Sequence, residues 1–371
     1  MKILYISNSS SFLSAGGMEY HLLGITNWLK AKGVETALAV REGTVFEQDL
    51  LRGRSDVYPL SWTGVNKFLS FVQLAKAIRG YAPDIISINR ERDIARVLLI
   101  TLCLRPFLKK RPKIVSVFHN TGWNGAFILP LLDGLIFPNQ YMKQAYIKVP
   151  GRADSRSIVI YHGVHLPAVD HEEKLRPDRE RKYFKGARFP LIGMVGDLRK
   201  NQAELIDVAY HLKTRLPEFT LAIVGKGHDK EIEALKEKAG RLGIEKNVII
   251  TGGIERKHID DIFYDLDVSV TTNRREPFGL VFIESLASYT PVIAYDSGGP
   301  VEIVGKGGGV LVHGGAEEMA KALYDLISDH EKRKTLGREG RAVAERYFSI
   351  NAMGEEHYRF YAGLLVEKVY K

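Results

Sequence analysis

The sequence predicts an α/β protein made of two doubly wound, mostly parallel sheets. Three observations carry this. Short apolar runs alternate with stretches of helical periodicity along nearly the whole chain, the pattern of parallel strands joined by crossover helices. The alternation breaks once, at 169–188, where VDHEEKLRPDRERKYFKGAR is polar and highly charged. The 371 residues are enough for about two ordinary domains.

In the first half, Lys2–Ser7 reads as a strand, 8–17 as a small polar loop and Met18–Lys30 as an amphipathic helix. Thr36–Val40 is a second strand, and Val65–Arg79 has helical spacing through Phe68, Phe71, Val72, Leu74, Ala75 and Ile78. Asp84–Ile88, Ile114–Phe118, Gly134–Phe137 and Ser157–Tyr161 complete the strands, with a helix over Asp93–Leu104. After the charged break the pattern resumes. Strands fall at Leu191–Val195, Thr220–Val224, Asn247–Thr251, Val268–Thr271, Val292–Ala294 and Val310–Val312, with helices such as Ala203–Arg215 and Asp229–Leu242 between them. A terminal helix is expected over Ile350–Val369. In such sheets ligands sit beyond the carboxyl ends of the strands.

Composition narrows the function. At 45% hydrophobic and 26% charged residues the chain is ordinary globular material. The single cysteine, Cys103, excludes a disulfide framework and a cysteine zinc site. The start, MKILYIS, runs straight into a strand with no leader pattern, and no apolar run reaches the ~18 residues of a spanning helix. A cytoplasmic protein is expected. The net charge of +9 favours an anionic partner, whether nucleotide, lipid surface or nucleic acid. No nucleic-acid module or aromatic platform is recognisable.

The stretch 268–300, VSVTTNRREPFGLVFIESLASYTPVIAYDSGGP, is the most informative. A strand leads through a polar loop to Glu276-Pro277-Phe278-Gly279, then to a helix with apolar Leu280, Phe282, Ile283, Leu286 and Ala287. Pro291 ends the helix, and a strand runs into Gly298-Gly299-Pro300. Glu276 lies before the helix and Glu284 inside it. Between them the first helical N–H groups, around Gly279 and Leu280, have no partner in the helix and form an anion site. Amides for phosphate with an acid on either side suit a phosphorylated, hydroxyl-rich ligand. For an arbitrary helix, a capping carboxylate plus an edge glutamate would be the simpler account.

Glu276, seven residues, then Glu284, with Phe278-Gly279 between and Ser297-Gly298-Gly299 beyond, resembles the signature of the family 4 retaining glycosyltransferases. The resemblance implies the GT-B fold: two Rossmann-like domains facing across a cleft. Residues 1–168 would form the acceptor-side domain, 169–188 a linker and 189–348 the nucleotide-sugar-binding domain. Residues 349–371 would form a helix packing back on the first domain. It also implies a nucleotide-sugar donor as substrate, a carbohydrate or lipid-linked acceptor, and no metal or other cofactor.

The family's pattern then points to further residues. Gly16-Gly17, in the turn after the first strand, is similar to a GGxE-like turn facing the active site, where glycine lets backbone approach phosphate or sugar. His119, at a strand end, matches a histidine that touches the donor sugar, although Asn120 departs from the usual acidic neighbour. Arg199 and Lys200, in Gly196-Asp197-Leu198-Arg199-Lys200, suit a diphosphate clamp, with Asp197 in the usual arginine place. Gly225, in Val224-Gly225-Lys226-Gly227, resembles a nucleotide-side turn, and Gly253-Ile254 a stretch bordering the base. With Phe278, Gly279, Leu280 and Glu284 these complete the expected donor-binding set, and Glu276, His119, Arg199 and Lys200 the expected catalytic set. His162 and His165, in a segment similar to the family's NGVD, are too few to hold a metal and are taken as structural or hinge residues. Asp265-Leu266-Asp267 sits at a helix end rather than in a converging oxygen-rich loop, which argues against a cation site.

RPFLKKRPK, 105–113, follows an apolar helix. It fits either contact with an anionic membrane face or a buried helix with a solvated basic end. The expected activity is retaining sugar transfer in cell-surface polysaccharide, lipopolysaccharide or glycolipid synthesis. The rival readings on the same scaffold are a sugar-nucleotide epimerase and a non-catalytic nucleotide-sugar-binding protein.

Overall fold

The structure is a computed structural model that describes residues 1–8, 17–43, 56–62, 67–120, 125–147, 154–168, 171–176 and 179–366, with backbone alone at 67, 68, 171 and 172. The expected loop glycine Gly16 lies outside the described residues, as does the end of the terminal helix beyond Val366. The chain divides into two compact units, Met1–Gly163 with Ile350–Lys371, and Val164–Ser349.

The first unit is a parallel sheet of β1 (Lys2–Ser7), β2 (Glu35–Arg41), β3 (Val57–Leu60), β4 (Ile85–Ile88), β5 (Lys113–Val117), β6 (Gly134–Phe137) and β7 (Ser157–Val159). Their order is β3-β2-β1-β4-β5-β6-β7. Alternation along β1 sends Ile3 and Tyr5 to one face and Leu4 and Ile6 to the other, each into a separate apolar core. Both faces are therefore buried, which explains the continuous apolar runs. The edge strand β3 was not expected. Its Pro59 interrupts the strand signal, and an edge is where a sheet tolerates proline.

The second unit repeats the plan with β8 (Leu191–Val195), β9 (Thr220–Val224), β10 (Val248–Gly252), β11 (Val268–Thr271), β12 (Val292–Tyr295) and β13 (Gly309–Val312). The order is β10-β9-β8-β11-β12-β13, with all pairs parallel. The order reverses between β8 and β11, and in such sheets ligands bind beyond the carboxyl ends of the strands at that point.

The last helix, Ile350–Val366, belongs to the first unit. Met353 and Tyr361 enter the core that also holds Ile3 and Tyr5. The Trp28 indole N–H donates to Asn351 Oδ1 at 2.9 Å, and the Tyr361 hydroxyl lies 3.1 Å from Ser87 Oγ.

The charged stretch expected as linker and surface contributes buried cations to the second unit. Lys174, 3% exposed, donates to the Tyr264 carbonyl at 2.8 Å, at the end of the helix Ile259–Asp265. Unpaired carbonyls at a helix end attract cations. Arg179 and Arg181 pair with buried Asp267 at 3.0 and 2.8 Å. Asp265 accepts the backbone N–H groups of Lys182, Tyr183 and Phe184, each at 2.7 Å. Burial pushes the Asp267 carboxyl up, but the two guanidinium groups hold it below the usual carboxylate range. The pair Asp265 and Asp267 therefore fixes this segment against β8 and β11. Asp267→Ala leaves two guanidinium groups buried without their counter-ion and should cost about 3–5 kcal/mol in chemical denaturation. A loss under about 1 kcal/mol, the scale of an exposed pair, would contradict this account.

Candidate active site

In the second unit the loops leaving the carboxyl ends of the strands are joined to one another by backbone. Gly196 N–H donates to the Val224 carbonyl at 2.8 Å, Leu198 N–H to Lys226 at 2.8 Å, and Gly225 N–H to Gly252 at 3.0 Å. The approach is so close that a Cβ on Gly225 would lie 1.6 Å from the Gly196 oxygen. The loop after β12 leans on the loop after β11 in the same way. Gly299 N–H donates to the Glu276 carbonyl at 2.8 Å, and a Cβ on Gly299 would meet the Pro277 oxygen at 2.5 Å.

These contacts position the two glutamates. Glu276, 8% exposed, accepts on Oε2 from Lys200 Nζ at 2.8 Å and from Asn273 Nδ2 at 3.0 Å. Lys200 is held in place by its neighbour: Asn201 Nδ2 donates to the Thr272 carbonyl at 3.0 Å, and Thr272 Oγ1 to the Asn201 carbonyl at 2.7 Å. Gly279, with φ +97°, turns the chain into the helix Leu280–Ala287. Phe278 is buried, and its ring meets Phe348 edge-on at 6.3 Å. Glu284 lies inside the helix, 7% exposed and ion-paired to Arg256. Burial pushes its carboxyl above the usual range, and Arg256 works against that.

The structure thus brings Lys200 to Glu276 but turns Arg199 elsewhere. Arg199 is exposed and clasps Asp197, Nε to Oδ1 at 2.8 Å and Nη2 to Oδ2 at 2.6 Å. Gly225 is half-buried, Gly253 exposed, and Ile254 packs against the core with Phe263 and Leu266. Among the described residues, no group of three or more histidine, cysteine, aspartate or glutamate side chains is placed to hold a metal ion.

In the first unit, Gly17 opens the helix Gly17–Ala31 and is exposed. His119 follows β5 and is 8% exposed. Its backbone N–H donates to Glu91 Oε1 at 3.1 Å, and its Nδ1 lies 3.2 Å from His162 Nε2. The His21 ring packs edge-on against His119 at 5.2 Å and tilted against His162 at 4.2 Å, and His357 of the last helix lies 5.8 Å from His21.

The sequence did not single out Arg256, Asn273, His21 or His357. Arg256 sits in the charged run Glu255 to His258, which reads as solvated surface. The histidines come from four distant segments, and no local spacing announces that they meet.

Two parallel-sheet units with this loop constellation define the class as a GT-B protein. Residues 15–167 match the family model Glycosyltransferase Family 4, and 176–343 match Glycosyl transferases group 1. The chain belongs to glycosyltransferase family 4. It is 32% identical over 252 residues to the GDP-mannose-dependent alpha-(1-6)-phosphatidylinositol monomannoside mannosyltransferase of Mycolicibacterium smegmatis, covering 60% of this chain and 62% of that protein. It is 24% identical to the lipopolysaccharide core biosynthesis mannosyltransferase LpsB of Rhizobium meliloti, covering 68% and 73%. The chain spans 59% to 62% of the length of several curated relatives that it matches. The fold is shared with Anabaena HepE in complex with UDP and glucose, at TM-score 0.79 and 21% identity, covering 98% of this chain and 99% of that one. Sucrose-phosphate synthase from Thermosynechococcus elongatus gives TM-score 0.76 at 19% identity, covering 99% and 100%.

The buried histidines make stability depend on acid. Burial lowers His21 to about 4 and holds His119, His162 and His357 well below the ordinary value. Unfolding frees them to bind protons below about pH 6.5. Asp93, Glu91 and Glu284 act in the opposite sense, because burial raises the first to about 6 and also raises the other two. Burial lowers His330 as well, and five groups against three leave the unfolded chain the stronger proton binder. Denaturation at stepped pH should show stability falling between about pH 6 and 4, by roughly 2–3 kcal/mol per unit at the steepest. Replacing His21 by Phe should flatten the slope, and an unchanged slope would contradict this assignment.

Proposed function

We propose that this protein is a retaining glycosyltransferase that moves a sugar from a nucleotide-sugar donor to a hydroxyl acceptor in polysaccharide, lipopolysaccharide or glycolipid synthesis. The observation that carries the reading is Glu276 held by Lys200 immediately before the helix that contains Glu284. A lysine already pointed at a carboxylate beside a helix N-terminus supplies positive charge where a diphosphate needs it.

In this reading the donor's diphosphate takes over Lys200, assisted by the Gly279 and Leu280 amides. Arg199 joins only when it leaves Asp197, so Lys200 is the principal cation. Glu276, freed from Lys200, accepts hydrogen bonds from the sugar hydroxyls, and His119 makes a further sugar contact. Glu284 accepts from the ribose hydroxyls, with Arg256 opposing the burial that raises its carboxyl. Phe278 buttresses the turn at Gly279, while Gly225, Gly253 and Ile254 border the nucleoside and Gly16-Gly17 the sugar and phosphate. The anomeric carbon–oxygen bond to the diphosphate breaks, and the bond to the acceptor oxygen forms on the same face. The acceptor's proton passes to the leaving phosphate oxygen. The negative charge that grows on the leaving group meets groups already in place, which is preorganised electrostatic stabilisation.

Two of the relatives are named for phosphatidylinositol monomannoside and for lipopolysaccharide core biosynthesis, and peripheral membrane contact belongs to the same proposal. The helix Ile94–Leu104 buries Ile94, Val97 and Ile100 but exposes Leu99 and Leu102, with Phe107 just beyond, at 52%, 64% and 66%. Arg105, Lys109, Lys110 and Arg111 follow in sequence and are exposed, with Lys110 paired to Asp84 at 3.1 Å and Arg111 to Asp133 at 3.2 Å. Apolar side chains flanked by cations suit an anionic bilayer surface. No helix among the described residues is long and apolar enough to cross a membrane.

Three measurements test these readings. Glu284→Gln should weaken donor binding by roughly tenfold in calorimetric titration against a panel of nucleotide sugars, the scale of one hydrogen bond to a charged group. Glu276→Ala should instead lower turnover by about 100-fold or more with modest change in donor KM. Both variants near wild type would overturn the assignments. The protein should float with vesicles rich in phosphatidylglycerol and not with phosphatidylcholine alone, and the pair Leu102→Ser and Phe107→Ser should abolish flotation. Equal recovery with both vesicle types would rule out the anionic surface.

A further inference from the structure

The contact between His119 and His162 is the strongest observation the proposed mechanism leaves unused. Their facing nitrogens, Nδ1 of His119 and Nε2 of His162, lie 3.2 Å apart in a buried setting. Two neutral imidazoles share such a bond only if one donates and the other accepts, so the bond fixes both tautomers together. Both rings are kept neutral by burial, and the nearby charge of Arg90 adds to this for His119. Their orientation is fixed as well. Glu91 holds the backbone of His119, and the His21 ring packs against both. The remaining ring nitrogen of His119, Nε2, is buried and has no partner among the described residues. A buried polar atom left open in an otherwise fixed group marks a place for a ligand atom.

We propose that His162 is a positioning residue that sets the tautomer of His119. The His162 Nε2–H donates to His119 Nδ1, so His119 carries its own proton on Nε2 and offers an N–H donor to the sugar. The chemistry of the ligand selects this sense over its reverse. A sugar hydroxyl oxygen carries two lone pairs beside its single proton, so an N–H on His119 finds an acceptor whichever way that proton is given. The inference rests on the reading of His119 as a sugar contact. It adds that a residue from the segment after β7, one that does not touch the sugar, decides what His119 presents.

The test uses the full chain with 15N-labelled histidine. In the wild type, the His119 ring should show a protonated Nε2 and an unprotonated Nδ1, assigned by the loss of those signals in His119→Gln. His162→Phe keeps an aromatic ring but removes the donor. It should erase the fixed His119 pattern and lower kcat by roughly 10- to 100-fold, the loss expected for one hydrogen bond, with little change in KM for the donor. His162→Gln places an amide N–H near the position of the imidazole Nε2 and should restore both the pattern and most of kcat. The reverse wild-type pattern, protonated on Nδ1, overturns the proposal. So does a His162→Phe variant that is less stable yet keeps the His119 pattern and the wild-type kcat. A wild type that binds no nucleotide sugar sinks the transferase reading instead, and the nitrogen pattern still decides the tautomer.

Discussion

One backbone hydrogen bond, from Gly299 N–H to the Glu276 carbonyl, sets the geometry on which the candidate site depends. It joins the loop after β12 to the loop after β11 and fixes the height of Glu276 above the sheet. A side chain on Gly298 or Gly299 would strike the main chain of Glu276 or Pro277. With the loop held there, the chain can turn at Gly279 directly into the next helix. Lys200 then reaches the carboxylate from the far side through the Asn201 and Thr272 bonds.

The two acids at this place are held in different ways. Glu276 is paired with a lysine whose side chain is 40% exposed, so the pair is open to exchange with an incoming anion. Glu284 is buried against Arg256 in the helix itself, where losing the partner would leave a charge in an apolar setting. A labile pair and a fixed pair side by side suit a site that must exchange one ligand and orient another.

Much of this was legible in the sequence because the information was local. Strand and helix periods, Pro291 after the helix and the glycines after β12 each act on adjacent residues, and they placed Glu276 and Glu284 correctly on either side of one turn. Long-range pairing was not legible. Arg199 and Lys200 are neighbours, and only the fold decides that the first folds back on Asp197 while the second crosses to Glu276. Lys174, Arg179 and Arg181 looked like solvated charge because what they are buried against, the carbonyls of Tyr264 and Asp265 and the Asp267 carboxylate, lies more than eighty residues further along. Pro59 hid an edge strand by breaking the rule that usually reveals one. The meeting of the four histidines could not be anticipated, since His21, His119, His162 and His357 come from distant segments and no local spacing links them.

The place of the helix Ile350–Val366 has a consequence for how the molecule is made. Its Met353, His357 and Tyr361 are buried in the first unit. A growing chain emitted from its amino end therefore cannot complete that unit when residues 1–163 have emerged. The whole second unit must be synthesised before the missing wedge of core arrives, and Val164 pairs with Ser349 at the point where the chain returns. The half that is translated first is the half whose interior is closed last, and its unfinished apolar surface has to stay out of trouble for the time it takes to make nearly two hundred further residues.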